Sequence, residues 1–220
     1  MDAPSGRIRS WTVARGSPVL WFVVRDTDLV RWCLDHGADV DPPDDTPSGA
    51  KKHRKPILEV VAAQGNIEAF ELLRVRGAPL DLHHGVLPSA VMSASYYVSQ
   101  TDQGPDTHFS RMLNMVRHLL DIGCNANSIS YGTHYGSGSL CSTPLCWLAC
   151  RTNNNGVREM VRLFLDRGGD PDLAGPRSDY QGVIIPSARE SAQKRPNQPF
   201  LDAVAEWEAE HRSGVVEEAG

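Results

Sequence analysis

Of the 220 residues in this chain, the five cysteines are the side chains best suited to metal or nucleophilic chemistry, and three of them sit close together as Cys141, Cys146 and Cys150. A structural zinc ion is held by four nitrogen or sulfur ligands in a tetrahedron, commonly with a closely spaced cysteine pair. His134 and His118 would be the further ligands of such a site. A helix through this stretch puts Cys146 and Cys150 on one face, and that face is also needed for packing, where small buried cysteines are common. The packing role is the expected one, and neither metal nor other cofactor is assigned.

The glycine-rich run Gly132–Ser139 has the composition of a phosphate cradle. It lacks the Gly-Lys-Ser/Thr ending of a nucleotide-binding loop and does not lie between a strand and a helix. It reads as a connecting loop with Tyr131, His134 and Tyr135 near its tip. Tyrosine is a frequent anchor in protein interfaces, so these three residues are candidate partner contacts. Four other groups are candidates of the same kind. Asp44 and Asp45 precede the basic run Lys51, Lys52 and Arg54; together they make a charge-compensated loop, or alternatively a nuclear import signal. His83 and His84 are paired histidines whose charge could change near neutral pH. Asp179 and Tyr180 lie in a late polar connection. Nucleophilic catalysis finds no footing: there is no Gly-x-Ser-x-Gly elbow and no His-Glu-x-x-His helix, so an enzyme is not expected.

The formal net charge of −5 argues against a general nucleic-acid binder, which would carry a basic face. No apolar run approaches the length of roughly 18 residues that a membrane span needs. An odd, unevenly spread set of cysteines suits a reducing compartment better than a disulfide scaffold. The cytoplasm is the expected location, with the nucleus as the alternative.

The elements that must position these residues are written in an internal repeat. Glycines at Gly37, Gly77, Gly123 and Gly168 end four similar segments, at spacings of 40, 46 and 45 residues. Seven residues before each glycine stand Val30, Phe70, Val116 and Val161, and four residues before stand Cys33, Leu73, Leu119 and Phe164. One residue further on come Leu34, Arg74, Leu120 and Leu165, where Arg74 is the exception. Apolar positions three and four apart lie on one helix face, and a glycine just past the end takes the left-handed conformation that closes a helix. A shorter apolar segment precedes each of these helices. Ser17-Pro18 and Thr143-Pro144 place a hydroxyl at the N-cap and proline at the first helical position, and Gly65-Asn66 marks the turn within the second repeat.

Thr-Pro-Leu, Gly-Asn and Leu-Leu-x-x-x-Gly, in the order short helix, turn, longer helix and glycine stop, resemble ankyrin repeats. The resemblance covers residues 17–208 and, in its degeneracy and long inserts, is similar to fungal ankyrin proteins. It implies an all-α helical solenoid of about five helix pairs, stacked side by side, with long inter-repeat loops. The repeats fall at about 17–41, 55–81, 85–127, 142–172 and 182–208, between an N-terminal tail (1–16) and a C-terminal tail (209–220). Inserts are expected at about 42–55, 95–110 and 128–142, because the usual period is about 33 residues. Cys146 stands where the family has a histidine after Thr-Pro-Leu. The fifth repeat takes Ile184–Ala192 as its first helix and Phe200, Leu201, Val204 and Trp207 as the stripe of its second. Glu206, Glu208 and Glu210 then supply a polar outer face.

What the resemblance implies about function is a non-catalytic protein-interaction module, monomeric, that binds another protein along the inter-repeat loops and the first-helix face. Nucleic acid and membrane are not expected partners. An adaptor that delivers a bound protein to an enzyme complex such as a ubiquitin ligase is the alternative, and a small metal protein built on the cysteine cluster is a remoter one.

Overall fold

The structure, a computed structural model, describes residues 19–40, 55–82, 85–98, 107–129, 143–151, 155–174 and 186–217. Every regular element among them is a helix, and the helices come in pairs. These are α1 (Leu20–Val23) with α2 (Thr27–Asp35), α3 (Ile57–Ala62) with α4 (Ile67–Val75), and α5 (Val86–Val98) with α6 (Thr107–Asp121). The last two are α7 (Pro144–Arg151) with α8 (Asn155–Leu165), and α9 (Ala188–Lys194) with α10 (Gln198–Glu217). First helices stack on first helices, α1 on α3, α3 on α5, α5 on α7 and α7 on α9. Behind them runs a second row, with α2 on α4, α6 on α8 and α8 on α10. The fold is an ankyrin-like helical solenoid.

One hydrophobic seam runs through both rows. Val30, Phe70, Val116 and Val161 are each 0% exposed, and Cys33, Leu73, Leu119 and Phe164 are buried beside them. A single pair has no partner for this face, so each repeat is stable only against its neighbours. Arg74, the polar exception in the pattern, stays at the surface and pairs with Glu71.

Each second helix from α2 to α8 ends in the same two hydrogen bonds. Gly37 N–H donates to Leu34 O at 3.1 Å and Ala38 N–H to Cys33 O at 2.9 Å. The same bonds recur at Gly77 and Ala78, at Gly123 and Cys124, and at Gly168 and Gly169. All four stop glycines have φ between 78° and 96°, a region costly for any residue with a Cβ. This double closure satisfies carbonyls that a helix end would otherwise leave unpaired.

Side chains cap the starts of α2, α4, α7 and α9. Thr143 Oγ1 accepts the Cys146 N–H at 3.4 Å, with Pro144 in the first helical position. Asp26 and Asn66 accept from Leu29 N–H and Ala69 N–H, each at 3.1 Å. Ser187 and Glu190 cap each other's backbone, which starts α9 at Ala188 and not at the expected Ile184.

Two further expectations are corrected. The insert anticipated at 95–110 is shorter, because α5 runs to Val98 and α6 starts at Thr107. Ser95 lets α5 continue by turning its Oγ back to the Met92 carbonyl at 2.9 Å, a bond that keeps a serine inside a helix. Helix α10 extends to Glu217, past residue 208 where the array was expected to end. Glu206 and Glu210 are exposed and Glu208 is half-buried, and the three pair with arginines of the preceding helices: Glu206 with Arg158, Glu208 with Arg189 and Glu210 with Arg162.

Candidate binding surface

Every second helix ends, and every next first helix begins, at the same end of the array, so the connections leave it in a row. Their roots are tied to one another. Arg76 reaches back to Asp35 at 2.7 Å, and Arg167 to Asp121, in the same register one repeat apart. Past the glycine stops, Asn125 N–H donates to Leu82 O at 3.0 Å. Asn127 Nδ2 donates to Gly168 O at 2.9 Å, and its Oδ1 accepts the Asp170 N–H at 2.8 Å. Arg189 N–H donates to Pro171 O at 3.0 Å and its guanidinium forks onto Asp172.

All the candidate contact residues lie outside the described residues. Asp44, Asp45, Lys51, Lys52 and Arg54 fall between Val40 and Lys55, and His83 and His84 between Leu82 and Gly85. Tyr131, His134 and Tyr135 fall between Ile129 and Thr143, and Asp179 and Tyr180 between Ala174 and Pro186. What the structure gives is the place from which each group springs.

The described surface beside those roots holds a feature that the sequence reading missed. On the first-helix side, Glu59 of α3 accepts a hydrogen bond from Ser89 Oγ of α5 at 3.2 Å. Burial pushes the Glu59 carboxyl above its ordinary range and the nearby Asp81 adds to the shift, while Lys55 and Ser89 oppose it. Burial also lowers the Lys55 ammonium, against the pull of Glu59. Gly85, with φ +74°, lies so close that a Cβ there would collide with the Glu59 carboxylate. The site is therefore a half-buried carboxylate at the foot of the segment carrying His83 and His84, with an exposed Asp81 at its rim. Chemically it can accept hydrogen bonds or receive a cationic side chain. A lone Glu in a short apolar helix, Ile57–Ala62, was the available signal.

The cysteines behave differently from one another. Cys33, Cys124 and Cys146 are buried and Cys150 is exposed, so Cys146 and Cys150 do not share a buried face as expected. Helix α7 turns Cys146 inward, where its thiol lies 3.4 Å from Thr143 Oγ1 and 3.7 Å from the Pro186 carbonyl. Burial pushes the Cys146 thiol up, and the Cys124 thiol up to about 11 with a contribution from Asp81. Thiols held protonated in this way are poor nucleophiles and poor metal ligands. His118 makes an inter-repeat contact, its Nε2 lying 2.8 Å from Glu71 Oε1. Among the described residues, no group of three His, Cys, Asp or Glu could hold a metal ion. Cys141 and His134 lie outside those residues. No helix among them is long and apolar enough to cross a membrane.

No family model matches this chain, and no curated protein matches it. Among solved structures it is similar to an ankyrin repeat domain from Acinetobacter baumannii AYE, at 18% identity and a TM-score of 0.39. That likeness covers 84% of this chain and 95% of the other. The class is set by the chain's own stacked helix pairs and repeated glycine closures.

Proposed function

We propose that this chain is a protein-interaction module that binds a partner protein along its inter-repeat loops and first-helix face, as a monomer and without catalysing a reaction. The observation that carries the reading is the row of tethered loop roots at one end of a rigid stack. The segments that spring from it hold Tyr131, His134 and Tyr135, His83 and His84, Asp179 and Tyr180, and the charged run from Asp44 to Arg54. Residues in such loops can vary without disturbing the seam, and a rigid scaffold limits the entropy lost on binding. The half-buried Glu59, with Asp81 beside it, supplies an acidic spot on the same side.

Affinity capture with the full chain, followed by mass spectrometry, tests this. A defined partner set should be recovered by the native chain and lost when Tyr131, His134 and Tyr135 are all changed to alanine, with the thermal midpoint unchanged. Recovery of the same partners by the triple variant would overturn the assignment of that loop.

A further inference from the structure

The end of the array opposite the loops carries a second feature. Beside the turns that join α1 to α2 and α3 to α4, against the start of α6, lies a groove of about 830 Å³, whose lining includes Arg25, Gln64, Asn66, His108 and Arg111. It spans three repeats: Arg25 precedes α2, Gln64 and Asn66 precede α4, and His108 and Arg111 belong to α6. Glycine at position 65 lets α6 come down on this turn, so that the Arg111 stem would lie 3.0 Å from a Cβ there.

The two guanidiniums differ from most others among the described residues. Arginines whose side chains are described hold a carboxylate, as Arg76 holds Asp35 and Arg158 holds Asp202 and Glu206. Arg25, Arg111 and Arg195 are the exceptions among them. In the groove, Arg25 donates its Nε to Gln64 Oε1 at 2.6 Å, and Arg111 lies 2.7 Å from His108 Nδ1. Neither partner is a carboxylate, and further N–H donors remain on each fork. The carboxylates on the first turns of α2 and α4 are already engaged: Asp26 caps Leu29 N–H, while Asp28 and Glu68 both pair with Arg31. No Asp or Glu lines the groove among the described residues. In a chain of net charge −5, the described lining of this groove therefore pairs two arginines with no carboxylate.

A planar guanidinium matches a carboxylate with two parallel hydrogen bonds. The groove's volume is within the range of ligand sites, about 300–1,000 Å³, and well above what a single small anion fills. We propose that it takes an acidic segment of a partner protein, with carboxylates held by Arg25 and Arg111. This face is separate from the loop row and does not depend on the reading given above.

The test is titration of the full-length, isotope-labelled chain with a capped octapeptide of alternating Asp and Glu, followed by amide NMR. A peptide of Asn and Gln serves as control. Saturable shifts are expected at Gly65, Asn66 and Ile67, weakening as salt rises. Binding should fall at least tenfold in Arg25→Gln/Arg111→Gln, stay unchanged in Arg195→Gln, and survive in the Tyr131, His134 and Tyr135 alanine variant. Absence of shifts at those amides, equal binding by the double variant or by the neutral peptide, or saturation by inorganic phosphate but not by the peptide would each overturn the proposal.

Discussion

At Glu59 a carboxylate has been drawn partly out of water by the packing of α3 on α5, and its environment argues with itself. Burial and Asp81 raise its pKa, while Lys55 and Ser89 lower it, and the upward shift prevails. A carboxyl whose folded pKa is raised contributes stability that is fully present below the unfolded pKa, about 4.3. That stability is lost as pH rises through the higher folded value. Glu59→Gln should therefore remove a decline in unfolding free energy that the native chain shows upward from about pH 4, as read by urea denaturation at a series of pH values. Equal pH slopes for the two chains would count against this account. Gly85 tests the same niche from the other side. Alanine there meets both a left-handed backbone and the Glu59 carboxylate, and should cost about 1–3 kcal/mol in a urea titration. In Gly85→Ala/Glu59→Ala the collision is gone, and only the backbone part of that cost should remain.

At the scale of the helix pair, two asparagines do the same job. Asn66 caps α4 through its Oδ1 and donates its Nδ2 to the Val24 carbonyl of the preceding repeat at 3.0 Å. Asn197 caps α10 at Phe200 N–H and donates to the Leu148 and Ala149 carbonyls at 3.1 and 3.0 Å. Each one closes a helix start and fastens it to the C-terminal end of the preceding repeat's first helix. Asn197 is buried, so Asn197→Ala removes the cap on the Phe200 N–H and two hydrogen bonds to α7 carbonyls from a site closed to solvent. The expected loss is about 1–3 kcal/mol, seen as a lower thermal midpoint and faster amide exchange in α10. Exchange unaltered in α10 would mean that the helix is held by its ion pairs to Arg158, Arg162 and Arg189 instead. Of the two residues, Asn66 was legible because Gly65 announces a turn. Asn197 follows Arg195 and Pro196 without a glycine and looked like any polar connector.

Across the whole molecule, stability is a property of the stack. Leu73 and Leu119 are both 0% exposed and lie on the shared seam. Leu119→Ala or Leu73→Ala should each cost about 2–5 kcal/mol, with the loss spreading to the neighbouring repeats because each one borrows its core from the next. Equilibrium denaturation followed by both circular dichroism and tryptophan fluorescence would measure it. A midpoint unmoved in either variant would show that the seam is not continuous through that repeat.

The stop glycines, the seam residues and the pairing of helices follow from local rules: helical periodicity, capping and the left-handed freedom of glycine act within a few residues of chain. Those features could be read without coordinates, and Val30, Phe70, Val116 and Val161 lie where the periodicity puts them. Stacking decided the rest. Glu71 with His118, Arg162 with Glu210 and Asn197 with Leu148 join residues 47, 48 and 49 positions apart, and insert lengths hide such a register from any local pattern. The arginine partners of the acidic stripe of α10 were hidden because helical spacing specifies which residues share a side, not which neighbour that side meets. Likewise Arg25 and Arg111 are ordinary surface arginines in the sequence, and only the approach of α6 to the turn at Gly65 makes them two walls of one groove.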